Sequence, residues 1–286
     1  MIRSRASVIG IGCASACSVG RSIRRTPVIA ISSETWVAAG SPGMLSVVIP
    51  AHNEAENLDA TVSTLVSALE IARITHEILI VNDNSTDNSN VVIADLSNRY
   101  ATVRSIDNSP PNGFGFAVRS GLDAFRGDVV AIVMADGSDA PADLIKCYRK
   151  LGEGYDCVFG SRFIDGSEVI DYPIHKLILN RLANLLIRIL FQQRFNDFTN
   201  AFKLYRREVI AGLQPILSHH FNLTVELPLK ALIRGYSFAV VPISWQNRKA
   251  GISKLNIREM GSRYLFIVLY CLIEKQLSRG DYRRRR

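Results

Sequence analysis

LSVVIPAHNEAENL, residues 45–58, is the stretch that decides the fold class of this chain. Its first half is a short apolar run stopped by Pro50, which is typical of a buried strand, and its second half begins a helical spacing that continues through Val62 and Leu65. A second stretch of the same kind, EILIVNDNSTDNS at 77–89, follows about one strand–helix unit later. Two apolar strands that each end in a polar cluster and lead into a helix predict a mainly parallel α/β sheet.

The same alternation continues along the body of the chain. Three further short apolar runs predict strands at 103–106, 129–134 and 157–159. In an open sheet of this kind, ligands bind beyond the carboxyl ends of the strands. Four polar side chains follow the first two strands and predict a nucleotide-type pocket there: Asn53, Glu54, Asp83 and Asp87.

The positive charge of the chain lies in two tails. The 286 residues have a formal net charge of +8, but residues 1–43 hold five arginines and one glutamate, and residues 279–286 hold five arginines and one aspartate. The body between them therefore has no net charge, which argues against a nucleic-acid partner. Five cysteines without a CxxC pair or zinc spacing predict reduced thiols and a cytoplasmic protein.

Two helical segments raise the question of membrane contact. No apolar stretch approaches the roughly 18 residues that span a bilayer. The segment 177–191 is apolar around much of its circumference, so it is either a core helix with one solvated stripe or a helix that lies on a membrane surface; we favour the second reading. The segment 264–277 is a second candidate, and the arginines at 283–286 either add attraction to anionic lipid or form a solvated tail. We expect peripheral contact at the cytoplasmic membrane face, directly or through a membrane partner subunit.

Polar residues after the second strand have two readings. Asp83 is placed to accept a hydrogen bond from a nucleotide base, whereas Asp83, Ser85 and Asp87 could instead cap the next helix. Capping explains Ser85 or Asp87 more easily than three polar residues together. A third polar cluster, MADGSDAP at 134–141, follows the fourth strand and holds two carboxylates, Asp136 and Asp139, which suit either a hard divalent cation or a turn and helix cap.

These stretches resemble the family 2 glycosyltransferases, whose first strands read roughly VVIPxYNE and VDDGSxD. The resemblance spans about 44–256, and it is strongest to the polyprenyl-phosphate branch, which includes dolichyl-phosphate mannosyltransferase. It implies a GT-A type, Rossmann-like fold. We therefore expect residues 1–43 to be a disordered or dispensable extension, 44–256 to be the glycosyltransferase domain, and 257–286 to be an amphipathic helix with a basic tail.

The resemblance also implies the nucleotide-binding residues. These are Pro50, Ala51, Asn53, Glu54, Asp83 and Gly113, the last in NGFGFAVRSG, which is similar to the GxGxAxxxG of the family. Asp83 matches the second aspartate of the family's DD pair, while Asn82 replaces the first. Two glycines at a helix start would allow close approach of an anion to backbone N–H groups.

A divalent cation is a further implication. The family usually holds Mg²⁺ or Mn²⁺ with a DxD sequence, and Asp136 matches its second aspartate. Met134 replaces the first aspartate, and Ser138 stands where a glutamine ligand is frequent. We predict that Asp136, Ser138 and Asp139 hold the metal, with the additional carboxylate of Asp139 offsetting the loss at Met134.

Basic residues in the second half match the same branch in order and spacing. Arg162 lies in a GSR sequence, Lys203 follows Asp197, and Arg248 and Lys254 match RxxGxSKL. The resemblance implies that these four bind diphosphate or an acceptor phosphate, and that Asp136, Arg162 and Arg248 are catalytic. Taken singly, each basic residue would be an ordinary solvated side chain.

The implied reaction is inverting transfer of a hexose from a GDP-mannose or UDP-glucose type donor to polyprenyl or dolichyl phosphate. The chain has no ED dipeptide, where family members with hydroxyl acceptors often place a base, and a phosphate acceptor needs none because it is already anionic. The alternatives are a transferase for a soluble or protein hydroxyl acceptor, a non-catalytic nucleotide-binding homologue, and a nucleotidyltransferase, which the PAHNE sequence disfavours because it is no phosphate cradle.

Overall fold

The structure is a computed structural model that describes residues 41–247, 257–278 and 280–283. Arg248 and Lys254, which we predicted to bind phosphate, lie outside the described residues, as does almost all of the N-terminal extension. In the described parts, the strands are β1 (Leu45–Ala51), β2 (His76–Asn82), β3 (Val103–Asp107), β4 (Val129–Ile132), β5 (Cys157–Ser161), β6 (Glu168–Ile170), β7 (Lys203–Arg206), β8 (Phe238–Pro242) and β9 (Ser244–Gln246). The helices are α1 (Ala55–Ile71), α2 (Ser89–Arg99), α3 (Phe114–Ala124), α4 (Pro141–Leu151), α5 (Ile174–Phe191), α6 (Arg207–Gly212), α7 (Leu223–Ile233) and α8 (Ile257–Leu277).

Seven strands form one sheet in the order β3-β2-β1-β4-β7-β5-β8, and β6 pairs with β9 in a second, parallel ribbon. The pairs β1–β2, β1–β4, β2–β3 and β5–β8 are parallel, which confirms the predicted mainly parallel α/β sheet. Only β7 runs antiparallel to its neighbours within this sheet, between β4 and β5. The short sequence KLYR gave no sign of this strand or of its direction.

Helices cover both faces of the sheet. The packing of α1, α2 and α4 buries one face, and α3, α6, α7 and part of α8 bury the other. Every residue of β1 and β2 is buried, as expected for strands covered on both sides. Cys147 and Cys157 are buried and form no disulfide, in agreement with the predicted reduced thiols.

One ion pair and one further hydrogen bond fasten helix α8 to the body. Arg234, directly after α7, donates from Nε to Glu274 of α8 over 2.8 Å, and both side chains are almost fully buried. Lys275 donates to the carbonyl of Phe191 at the end of α5 over 3.1 Å. None of the described helices has both the length and the apolar character needed to cross a membrane.

Helix α5 has an unusual distribution of burial. Only Asn184, Ile187 and Phe191 of its 18 residues are buried, while large apolar side chains such as Leu182 (58% exposed) and Ile189 (65%) face outward. The core-helix alternative is therefore wrong, because the buried side is the partly polar one and the exposed side is apolar.

Candidate active site

A cavity of about 950 Å³ opens beyond the carboxyl ends of β1, β2, β4 and β5. The structure brings ten of the predicted site residues to its walls: Pro50, Ala51, Asn53, Glu54, Asp83, Gly113, Asp136, Ser138, Asp139 and Arg162. They come from loops far apart in the sequence, and the parallel strands that precede most of these loops end at the same edge of the sheet. The site therefore follows from the strand order, as expected for an open α/β sheet.

Asn53 and Asp87 join the loops after β1 and β2. Asn53 has a φ of 55°, a left-handed conformation that asparagine tolerates better than most residues, and its Oδ1 accepts a hydrogen bond from the Thr86 N–H over 2.7 Å. Asp87 accepts from the N–H groups of Ala55 (3.2 Å) and Ser89 (2.9 Å), the first residues of α1 and α2, so it joins the starts of the two helices. Asp87 therefore satisfies helix N-terminal N–H groups, as the capping reading expected, although Asn88 occupies the N-cap position of α2.

Asp83 does not act as a helix cap. Its Oδ1 accepts from the side-chain amides of Asn108 (2.7 Å) and Asn112 (3.1 Å), and its Oδ2 accepts from the Gly113 N–H (2.9 Å). A carboxylate has about four acceptor positions, so roughly one remains for a ligand. Asp83 therefore holds the β3–α3 loop in place while it faces the pocket.

The glycines of the β3–α3 loop are required for close packing. A Cβ on Gly115 would lie 2.4 Å from the backbone carbon of His219, and the Gly115 N–H donates to the His219 carbonyl over 3.1 Å. Gly113 has a φ of 139° and donates its N–H to Asp83. Because protein acceptors engage both N–H groups, the anion site that we expected at this helix start is not formed by them.

Asn82, the departure from the family pattern, has a local explanation. Its Nδ2 donates to Oδ1 of Asp107 over 2.8 Å and to Oδ1 of Asn90 over 2.7 Å. Asp107 is its partner in the β2–β3 register. An aspartate at position 82 would place two carboxylates against each other, so the amide is the residue that fits.

The loop after β4 places two carboxylates in the pocket. Asp136 accepts from the Ser138 N–H over 3.1 Å, and Asp139 accepts from the Met134 N–H over 3.1 Å. Burial raises the pKa of Asp139 to about 7, and the nearby negative charge of Asp136 adds to this effect. Nearby groups only partly stabilise the negative charge of Asp139 in this buried position, so a bound cation would stabilise it further.

The donor atoms of this loop fit a hard divalent cation in part. Oxygen ligands are those that Mg²⁺ prefers, and Asp136, Ser138 and Asp139 offer carboxylates and a hydroxyl. Within the described residues, no group of three or more His, Cys, Asp or Glu side chains forms a ready-made metal site. Diphosphate oxygens and water would therefore have to complete the coordination.

Arg162 is held on three sides. Asp197 accepts from its backbone N–H (3.0 Å), its Nε (2.8 Å) and its Nη2 (2.8 Å), and the Asp197 side chain is fully buried. The rings of Phe163, Tyr172 and Trp245 lie 5.3–5.8 Å from the guanidinium carbon. Burial opposes the charge, but Asp197 more than offsets it and raises the pKa of Arg162. Among the described residues Nη1 has no hydrogen-bond partner, so this edge of the guanidinium can receive a ligand.

Lys203, which we predicted to bind phosphate, does not reach the pocket. It begins β7, beneath the pocket, and its Nζ donates to the carbonyls of Phe198 (3.0 Å), Thr224 (3.3 Å) and Asn200. Burial lowers its pKa to about 7. With its amino group occupied by backbone carbonyls, Lys203 supports the 198–200 segment instead of contacting a ligand.

Several lining residues were not predicted. Lys176, in the first turn of α5, is the only described lysine or arginine besides Arg162 that lines the pocket, and no hydrogen bond or ion pair engages its amino group within the described residues. Tyr172 and Trp245 line the same end, with ring centroids 4.9 Å apart. Lys176 lies four residues before Asn180 and eight before Asn184, so the polar stripe of α5 already pointed to it.

The comparisons with known proteins agree with this geometry. Residues 46–213 match the family described as Glycosyl transferase family 2. The polyprenol monophosphomannose synthase of Mycolicibacterium smegmatis is 32% identical over 222 residues, which cover 74% of this chain and 82% of that protein. The dolichol-phosphate mannosyltransferase of Pyrococcus furiosus is 32% identical over 217 residues, which cover 74% of this chain and 59% of that protein.

A solved structure shares the fold. Glucosyl-3-phosphoglycerate synthase from Mycobacterium tuberculosis, crystallised with Mn²⁺, uridine diphosphate and glucosyl-3-phosphoglycerate, superposes with a TM-score of 0.64 at 17% identity and covers 86% of each chain. At this identity the likeness shows the GT-A type fold alone. With the matched region and the two relatives, it establishes that the chain belongs to glycosyl transferase family 2.

Proposed function

We propose that this chain is an inverting glycosyltransferase that moves a hexose from a nucleotide-sugar donor to polyprenyl phosphate. One observation carries the proposal: two cationic side chains, Arg162 and Lys176, line the pocket, and Lys176 belongs to α5, a helix whose outward side is apolar. That combination fits an acceptor with an anionic head and an apolar chain. Both curated relatives are named for mannose and a polyprenol or dolichol phosphate.

The donor would lie across the loops after β1, β2 and β4. The remaining acceptor position of Asp83 is available to a base N–H, beside Pro50, Ala51 and Asn53. Asp136, Ser138 and Asp139 would hold Mg²⁺ or Mn²⁺, which supplies charge neutralisation for the leaving nucleoside diphosphate. The described lining residues include six carboxylates and two cationic side chains, so without such an ion a diphosphate would meet net repulsion.

The end of the pocket lined by Arg162, Tyr172, Lys176 and Trp245 is called the acceptor end. It needs positive charge but no catalytic base. A phosphate oxygen attacks the anomeric carbon as the bond to the nucleoside diphosphate breaks, and the configuration inverts. Because the attacking oxygen is already anionic, no side chain has to remove a proton. Arg162 and Lys176 lower the repulsion between the two anions through charge-assisted hydrogen bonds.

We further propose that the outward apolar side of α5, with that of α8, lies on the cytoplasmic membrane face. These exposed side chains include Ile178, Leu182, Leu186 and Ile189 on α5, and Phe266, Leu269 and Ile273 on α8. Large contiguous apolar patches of this kind are uncommon on a freely soluble surface. The membrane would then present the polyprenyl chain beside the acceptor end of the pocket.

A glutamate on this surface should weaken vesicle binding without affecting the fold. We expect Leu182→Glu to reduce co-flotation of the full chain with anionic vesicles by about tenfold, since a charge placed in lipid costs a few kcal/mol at most near the interface. Ile71→Glu, at an apolar position of α1 that is 84% exposed, is the matched control and should float as the wild type does. Unchanged flotation of Leu182→Glu would refute the surface, and absent flotation of the wild type would favour a membrane partner subunit.

The function itself is tested by transfer of radiolabel into an organic phase. The full chain is incubated with Mg²⁺ or Mn²⁺, labelled GDP-mannose or UDP-glucose, and polyprenyl phosphate, with the same polyprenol lacking the phosphate as control. We expect label from one donor, only with the phosphate. Label on the free polyprenol or on a soluble acceptor would favour a hydroxyl acceptor, and nucleotide binding without any transfer would favour a non-catalytic homologue.

A further inference from the structure

The buried side of α5 contains one amide, Asn184, among apolar side chains. Asn184 is 1% exposed, and its neighbours on the same side, Ile187 and Phe191, are apolar. A buried amide is tolerated only when its groups are hydrogen-bonded. Asn184 meets that requirement, and its partners lie on the loop beneath the acceptor end.

Each polar atom of Asn184 is used. Its Oδ1 accepts from the Phe198 N–H over 2.6 Å, and its Nδ2 lies within hydrogen-bond distance of Oγ1 of Thr199 (3.2 Å) and Oδ1 of Asn180 (2.7 Å). Asn180, one turn earlier, also donates to Thr199 over 2.7 Å. Helix α5 therefore holds the backbone at 198 and the side chain at 199 through two amides.

The segment 197–201 is the part of the molecule that connects α5 to Arg162. Asp197 makes three hydrogen bonds to Arg162, and Thr199, Asn200 and Ala201 line the pocket. Lys203 holds the same segment from below through the Phe198 and Asn200 carbonyls. From the side of α5, only the two asparagines among the described residues make hydrogen bonds to it.

We propose that Asn184 is a positioning residue for the acceptor phosphate. Through the 197–201 segment it fixes the Asp197 carboxylate and hence the guanidinium of Arg162, so the acceptor end of the pocket is set by the docking of α5. This rests on the proposed function for its kinetic consequence, but the mechanical link itself does not depend on the substrate.

Four variants separate positioning from simple packing. Asn184→Leu removes every hydrogen bond of the amide. Thr199→Val removes the hydroxyl that both asparagines share, with little change of shape, and it tests the link even if Asn184→Leu fails to fold. Thr199→Ser keeps the hydroxyl and is the matched control. Ile187→Val, on the same buried side of α5, is the control for packing alone.

The first readout is hydrogen exchange in the full chain, which needs no substrate. We expect peptides covering 197–201 to exchange at least about tenfold faster in Asn184→Leu and Thr199→Val, while β1 peptides keep wild-type rates. Thr199→Ser and Ile187→Val should leave both regions unchanged. Wild-type protection of 197–201 in Thr199→Val and Asn184→Leu would overturn the inference.

The second readout is kinetic. We expect Asn184→Leu to lower kcat/KM for polyprenyl phosphate by about tenfold to a hundredfold, because a misplacement of about 1 Å can cost that much, with nucleoside diphosphate affinity within about twofold of wild type. Equal losses in both would indicate a merely structural role and overturn the inference. If the wild type transfers no sugar, the proposed function fails instead, and hydrogen exchange alone then decides the link.

Discussion

Asp136→Asn is expected to abolish nearly all transfer, with kcat/KM lowered about a thousandfold. The substitution removes one negative charge from the loop that would hold the metal, and a metal ion typically contributes several kcal/mol of transition-state charge stabilisation, about 4 kcal/mol for that factor. The shape of the side chain is kept, and an asparagine Oδ1 can still accept from the Ser138 N–H. The loop should therefore keep its fold, and the loss should reflect charge. The measurement is label transfer to polyprenyl phosphate over a range of Mn²⁺ concentrations.

A second pair of variants tests whether Asp139 replaces the aspartate that the family carries at the position of Met134. Asp139→Asn should also raise the Mn²⁺ concentration that transfer requires, because it removes the second carboxylate of this loop. In the wild type this carboxylate accepts a hydrogen bond from the Met134 N–H. If Asp139 offsets the loss at Met134, the double variant with Met134→Asp should recover part of the activity and of the Mn²⁺ affinity, which electron paramagnetic resonance measures without substrate turnover. Asp136→Asn with wild-type transfer and wild-type Mn²⁺ affinity would show that this loop does not hold the ion.

The sequence predicted those parts of the fold that local pattern determines. In β1 and β2, continuous apolar runs end in polar clusters because both faces of each strand are covered, and the ends of parallel strands meet at one edge. The same logic places Asn53, Asp83 and Asp136 at one edge of the sheet, although they are far apart in sequence, and all three line the pocket. Arg162, which also lines the pocket, was implied by the family resemblance.

Neither the direction of β7 nor the direction in which the Lys203 side chain points could be predicted, and the second of these explains the error at Lys203. Four residues, KLYR, have no periodicity that distinguishes a parallel from an antiparallel strand. Because β7 runs antiparallel between β4 and β5, its first residue, Lys203, pairs with Ile132 at the carboxyl end of β4. The Lys203 side chain points into the protein, where Nζ donates hydrogen bonds to backbone carbonyls instead of facing the pocket. The family pattern placed a basic residue at this position but could not say which way it points.

Hydrogen bonds between residues that are far apart in sequence also could not be predicted. Asn82 looked like a weakened nucleotide site until its amide was found against Asp107, 25 residues later. Asp83 was expected to accept a hydrogen bond from a nucleotide base. Asn108, Asn112 and Gly113 already use most of its acceptor capacity. Lys176 could have been found, because it extends the four-residue polar spacing of α5 by one step.

The proposed acceptor end of the pocket holds two cations that differ in their surroundings. The described cations there are Arg162 and Lys176, one fixed and one without a partner among the described residues. A fixed guanidinium contributes geometry as well as charge, because its planar fork cannot be replaced by a point charge. The two residues should therefore respond differently to substitution.

Arg162→Ala is expected to lower kcat/KM for the acceptor at least about a thousandfold and to destabilise the fold. Removing one partner of a buried ion pair typically costs about 3–5 kcal/mol, since the other charge stays buried alone. Here that charge is Asp197, whose side chain is fully buried. Urea denaturation and label transfer measure the two effects separately.

Arg162→Lys separates binding of phosphate from support of Asp197. A single ammonium cannot donate to both Asp197 oxygens from Nε and Nη2 positions and also face the pocket, so we expect about a hundredfold loss in kcat/KM with a smaller loss of stability. Lys176→Gln, which breaks no hydrogen bond to any residue that the structure describes, should raise the acceptor KM by about tenfold without changing stability. Nucleoside diphosphate affinity should stay at the wild-type value in both variants. If Arg162→Lys were destabilised but kept the wild-type acceptor KM and kcat, Arg162 would serve only to neutralise Asp197, and the phosphate would have to be bound by Lys176 and by residues outside the described range.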